Sequence, residues 1–475
     1  MHPRTHIAAA LLGMALLVHG IAQGAGANEA VTLEMEFDAH ENTRGDYMAP
    51  VVTHEESIYT VWVDSQQRTM IARKTPDGTI DTNVIFEHTR LDLYHAAPSL
   101  GIDRDGYIHV AGNMHNSPYL NDEEKNPHAE HAWQYAVSDE PEDISSFTFR
   151  GDDPDRAPPG TWISYPYFAR CREGVLYVAF RHRVKFGTGW SPGIMASGVA
   201  QYDADDRTWT MLGGTDYEHG EKTTIWIDKE EGSAYQGLKT RVFFCRDNRM
   251  HLTWAGQIDG EGGGHDSTHI VYAMSEDGGE TFKRASGEPI ASLPITFDNG
   301  DVVIEPPEST RDGSRLYNLS HVGVTAEGRP VVSFRNTTHG ELLSVWCPED
   351  GWRAPEEFPA GFPARFVTSD DGALTAVGSG SFHRTLDGGQ TWRAIDAPTG
   401  TPQNCIFDTA VPETPGLLRY QALFMDGETG VVRVYTLDLN GADAPDPMGR
   451  LAVWRPLTRA GPGGLTPVPA RTREH

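Results

Sequence analysis

With 475 residues, 67 acidic against 39 basic side chains and a formal net charge of −28, the chain is a poor partner for nucleic acid or an anionic membrane. Its 50 glycines and 31 prolines, with little helical periodicity, favour many short strands joined by tight turns. The length exceeds the ~100–200 residues of an ordinary domain, which leaves several domains or one large repeat array.

In chain order, Arg4 and His6 precede the apolar run IAAALLGMALLV, which closes on Ala25-Gly26-Ala27. That pattern predicts a secretory signal peptide over 1–27, too short and wrongly flanked to anchor in a membrane. No cysteine stands near the cut to carry a lipid, and no later stretch is long and apolar enough to cross a bilayer. A secreted or periplasmic, soluble monomer with no membrane partner is expected.

From residue 28 to 440 one pattern recurs: an apolar strand, a tight turn rich in Asp, Glu, Gly or Asn, then a second apolar strand. It reads VVTHEESIYTVWVD (51–64), SLGIDRDGYIHVAG (99–112), YFARCREGVLYVAFR (167–181) and RVFFCRDNRMHLTWAG (241–256). It continues as HVGVTAEGRPVVSF (321–334), RFVTSDDGALTAVGSG (365–380) and, more weakly, CIFDTAVPETPGLLRYQALF (405–424). The intervals leave room for two further strands per copy, and both faces of the strands are apolar or small, as sheets stacked between neighbours require. SEDGGETF (275–282) and TLDGGQTW (385–392) have the form of Asp-box turns, in which the Asp holds local backbone and the aromatic packs between sheets. The fold class is therefore all-β: a seven-bladed β-propeller of four-stranded antiparallel blades. The tail, 441–475, is rich in Pro, Gly and Arg; LAVWRP is expected to supply a closing strand and the rest to be disordered. Cys171, Cys245, Cys347 and Cys405 lie far apart without a CxxC pair, so their pairing stays open.

Opposed residues of an antiparallel hairpin have Cβ atoms ~4.5–5.5 Å apart. The turn at Asp105 sets His95 opposite His115, and the turn at Glu173 sets Tyr165 opposite Arg181. Both pairs fall at the strand ends away from the turn, on consecutive blades, and so on one rim of the central channel. The fifth blade brings Tyr317 and Asn318 near Arg335 and Asn336 in the same way. A ring of polar groups on rigid strands is where a site is built.

YHAAPSLGIDRDGYIHVAGNMHN (94–116), ISYPYF (163–168) and AFRHR (179–183) resemble the seven-bladed propeller ulvan lyases of polysaccharide lyase families 24 and 25, a group with BNR repeats. The resemblance implies β-elimination on a uronic acid: a cation neutralises the carboxylate, a base takes the C5 proton and an acid protonates the leaving O4. It assigns Arg181 to the carboxylate, base and acid roles to Tyr165 and His115, and assistance to His95, with no cofactor in the chemical step. Asn113, Asn116, Arg183, Tyr235, Tyr317, Arg335 and Asn336 would line an anionic polysaccharide. The basic run Arg181, His182, Arg183 and Lys185 would make a locally positive rim on an acidic protein.

Some relatives hold a structural zinc. Cys245, His251, His265 and His269 are the corresponding Cys/His cluster here, for zinc or else calcium, without a standard spacing. Two rival readings are a sialidase-like hydrolase, for which an early Arg-Ile-Pro motif is missing, and a carbohydrate-binding propeller without activity.

Overall fold

The computed structural model describes residues 31–438 except 46, 90–94, 118–127, 129, 186–193, 215–221, 227–238, 257–265, 311–312, 359–364, 369–372, 379–380, 396–401, 403 and 409–416. These residues form seven antiparallel sheets, each built on four main strands, the blades of a β-propeller. Short additional strands extend the third blade (Ile225–Trp226) and the fifth (Asp266–Ser267, Glu356–Glu357).

Each blade starts at the channel with the hairpin that the repeat predicts. Val51–His54 pairs with Ser57–Val63, Ser99–Ile102 with Ile108–Ala111, and Arg241–Phe244 with Met250–Gly256. The core lies in the seams between blades, which is why both strand faces are apolar. Val52, Tyr59, Val61 and Ile71 of the first blade pack against Leu100, Ile102, Ile108 and Val110 of the second. A buried branched side chain contributes ~1.5–3 kcal/mol, so the seams hold the ring more than any one ladder does. Gly101 is dictated by this packing. A Cβ there would stand 2.8 Å from Leu176 Cδ1 and 2.9 Å from Phe168 Cγ of the third blade.

The two Asp boxes are structural, as their sequence predicts. Asp277 Oδ1 accepts from Thr281 N at 2.9 Å, and Asp387 Oδ1 accepts from Thr391 N at 2.8 Å. The aromatic that ends each box is sealed between blades, Phe282 at 1% exposure and Trp392 at 0%.

The ring closes through the N-terminal strand. Val31–His40 is the outer strand of the seventh sheet, with Val31 opposite Leu437 and His40 opposite Thr429. First and last strands thus share one sheet, which leaves no gap between blades. The signal segment 1–27, the tail 441–475 and its LAVWRP lie outside the described residues. All four cysteines are buried free thiols.

Candidate active site

The second blade leaves the core through Asn113-Met114-His115-Asn116. Asn113 and Asn116 adopt φ of 54° and 51°, left-handed backbone that Asn tolerates better than most side chains. Asn113 N donates to Ala96 O at 2.9 Å and its Nδ2 to His88 O at 2.8 Å, so Asn113 serves the turn. The turn buries Met114 completely among Trp133, Tyr135 and Ile163 and sends His115 to the rim. There its ring stacks on His95, centroids 4.0 Å apart and planes 3° from parallel. The apposition expected from the hairpin is met.

The third blade differs from the expected register. Ser164, not Tyr165, stands opposite Arg181, because the pairing shifts between Ser164 and Tyr167. Tyr165 sits in that bulge at φ 61°, a conformation that costs a β-preferring aromatic ~1–3 kcal/mol and must be held by its surroundings. The bulge turns the ring into the site. The Arg181 guanidinium lies 4.5 Å from its centroid, and the rings of His95 and His115 lie 5.9 and 5.7 Å away. Tyr47, from the segment before the first blade, meets it edge-on at 4.4 Å.

Arg181 is 1% exposed, and its charge acts in a poorly solvated setting where it is weakly screened. Its Nη2 donates to Asn116 Oδ1 (2.7 Å) and Ser164 Oγ (3.0 Å), and Ser164 Oγ also receives Asn116 N at 2.8 Å. Three groups converge on His115 Nε2: Arg181 Nη2 at 3.3 Å, Asn116 Nδ2 at 3.4 Å and the Tyr165 phenol oxygen at 3.5 Å. Arg181 Nη2 has two hydrogens and three acceptor-type neighbours, so it turns its positive charge, rather than a full hydrogen bond, towards His115 Nε2. The arrangement offers a fixed cation, two stacked imidazoles and a phenol beside them.

The expected positive run is only partly charged. Alternation along the strand sends His182 to the face opposite Arg181 and Arg183, where its Nε2 meets Thr223 Oγ1 at 2.9 Å. Burial pushes its pKa down to about 4, so it carries no charge at neutral pH. Arg183 is 3% exposed and stacks on Trp162, Cζ 3.2 Å from the ring centroid. On the fifth blade Arg335 stacks on Tyr317 at 4.9 Å, and Tyr317 remains 39% exposed. Asn318 Oδ1 accepts from Lys239 Nζ at 3.4 Å. Asn336 is occupied locally: its Oδ1 accepts from Thr338 N and His339 N, and its Nδ2 donates to Ser314 Oγ. Tyr235 lies outside the described residues.

The expected metal set does not converge. His251 pairs with Met274 and His269 with Gly256, which puts the two histidines five residue steps apart along the sheet, about 17 Å at ~3.3 Å per step. Cys245 Sγ does lie 3.2 Å from His251 Nε2, but Tyr272 Oη takes His251 Nδ1 at 2.7 Å. His269 meets Thr268 Oγ1 at 2.8 Å, and His265 lies outside the described residues. Among the described residues the ligand-type atoms that do gather are those of His54, Glu55 and Glu142, at the turn end of the first hairpin, where Arg170 approaches His54 Nδ1 at 2.8 Å.

Four residues escaped the sequence reading: Tyr47, Ser164, Lys239 and Glu341. Ser164 takes its place through a bulge that no alternation signals. Lys239, two residues before the fourth inner hairpin, is reachable by the same rim rule that located His95. Glu341 faces Arg335 across the fifth blade, its Oε1 3.6 Å from Arg335 Nε. Tyr47 precedes the repeats and carries no periodic mark.

Fold and rim together define a seven-bladed propeller with a buried cation, two stacked imidazoles and a phenol at one channel mouth. Residues 57–354 match the BNR repeat-containing family, and the chain belongs to that family. No curated protein matches it by sequence. Among solved structures it is similar to the polysaccharide lyase Uly1, with a TM-score of 0.62, 15% identity and coverage of 83% of this chain and 90% of that one. It is also similar to a PL25 ulvan lyase, at TM-score 0.58, 15% identity and 83% and 93% coverage. The same ulvan lyase bound to GlcA(1-4)Rha3S gives a TM-score of 0.57, 15% identity and 83% and 94% coverage. At this identity the likeness concerns the fold.

Proposed function

We propose that this protein is an exported polysaccharide lyase that cleaves a uronate-bearing, sulfated polymer of the ulvan type by β-elimination. The observation that carries the reading is the convergence of Arg181, His115, His95 and Tyr165 at one channel mouth. The structurally similar lyase bound to GlcA(1-4)Rha3S supports the substrate class. The C5 proton of a uronate is weakly acidic because its carboxylate resists further negative charge. Arg181 neutralises that carboxylate with parallel hydrogen bonds, as guanidinium geometry allows. Tyr165 and His115 then share proton removal from C5 and proton delivery to O4, with His95 stacked behind His115 to keep its ring in plane. Tyr317, its ring exposed beside Arg335, offers a sugar-stacking surface further along the rim.

Incubation with ulvan and other uronate polymers tests this by following ultraviolet absorbance of the new C4=C5 bond. The expected result is a rise in absorbance in step with new reducing ends. Reducing ends without absorbance overturn the lyase reading in favour of a hydrolase; binding with neither signal overturns it in favour of a carbohydrate-binding propeller.

A further inference from the structure

Lys239 stands immediately before the fourth blade, and its ammonium is held between two phenol rings. Its Nζ lies 4.7 Å from the centroid of Tyr47 and 4.9 Å from that of Tyr165. Tyr165 therefore has two cations on its ring, Lys239 and, at 4.5 Å, Arg181. Among the described residues the other titratable groups seen facing it are His115 and His95 from the second blade and Tyr47 from the segment before the first. Tyr165 is 2% exposed, and a phenolate so poorly hydrated forms only if fixed positive charge replaces the water. Tyr47 and Asn318, which hold Lys239 by its ring face and its Oδ1, keep that charge in place.

We infer that Lys239 is a positioning residue that, with Arg181, favours ionised Tyr165 and so makes this phenol the base of the reaction. The inference rests on the lyase reading. In the step itself the phenolate oxygen takes the C5 proton, and the C5–H electron pair becomes the C4=C5 bond. The C4–O4 bond breaks, and O4 leaves with a proton that the restored phenol hands on by way of His115 Nε2, which regenerates the phenolate. Lys239 exchanges no proton and touches no reacting atom; it acts through Tyr165.

The test is the Tyr165 phenol titration, read as the ultraviolet difference between the wild-type protein and Tyr165→Phe, in the presence and absence of Lys239→Met. A cation at ~4–6 Å shifts such a group by about 1–3 units, so Lys239→Met is expected to raise the Tyr165 midpoint by that amount and Lys239→Arg to restore it. The acidic limb of the pH–rate profile on ulvan moves by the same interval. Lys239→Gln gives the same comparison if the Met variant does not fold. An unmoved Tyr165 midpoint in a folded variant overturns the inference even if ulvan is cleaved. A midpoint that moves in a protein that eliminates no uronate polymer removes the lyase reading and leaves the electrostatic coupling of Lys239 to Tyr165 standing.

Discussion

The third and fifth blades each carry an irregularity near the rim, with one extra residue in the third and two in the fifth. In each, the register of the inner hairpin shifts near the rim, between Ser164 and Tyr167 in one and between Leu316 and Ser320 in the other. Each shift releases a tyrosine that an arginine covers. The outcomes differ because of what stands around them. Tyr165 is buried among His95, His115, Tyr47 and two cations, whereas Tyr317 is 39% exposed and meets Arg335 in the open. One device gives a reactive group where polar neighbours converge and a contact surface where they do not.

Three substitutions break or sharpen that contrast. Tyr165→Phe removes only the hydroxyl and should lower kcat by about 10²–10⁴ with KM nearly unchanged, the signature of a proton-transfer group. Full activity in steady-state assays on ulvan would take Tyr165 out of the chemistry. Tyr317→Ala should do the reverse, raising KM by roughly fivefold with kcat retained, the effect of about 1 kcal/mol of lost contact. A fall in kcat alone would show that the fifth blade takes part in the chemistry.

The smallest effect concerns the acid beneath Arg335. Burial pushes the Glu341 carboxyl up from 4.5 to about 8, and Arg335 pulls it only partly back. The folded protein therefore holds this proton more tightly than the unfolded chain. Stability from this group is full below about 4.5 and falls as pH rises towards 8. Glu341→Gln should remove the loss, so that its Tm advantage over the wild type grows between those two pH values and then levels. Parallel Tm–pH curves for the two proteins would contradict it.

Much of the fold was legible before any coordinates. Paired apolar strands around Asp-Gly, Glu-Gly and Asn-Arg turns report hairpins through local chemistry, and apolar residues on both faces report stacking between blades. The facing of His95 and His115 followed from counting outward from one turn, although the ladder ends at Ser99 and Ala111 and the chain turns at Asn113 before the rim. The same count misplaced Tyr165 by one position, because a bulge adds a residue without changing the alternation that precedes it. The Cys/His set failed for the converse reason: nearness in sequence does not decide which end of a strand a side chain occupies.

By itself, then, the sequence determined the all-β class, the repeat of hairpins, the Asp-box turns and the two stacked histidines. All of these depend on residues within one hairpin. Only the tertiary structure decided the rest: the outer strand of the seventh sheet from residues 31–40, the neutral burial of His182, and the meeting of Tyr47, Tyr165, Arg181 and Lys239. Tyr165 and Arg181 share the third-blade hairpin, but Tyr47 and Lys239 come from separate stretches of the chain, and closure of the ring is what brings all four to one point.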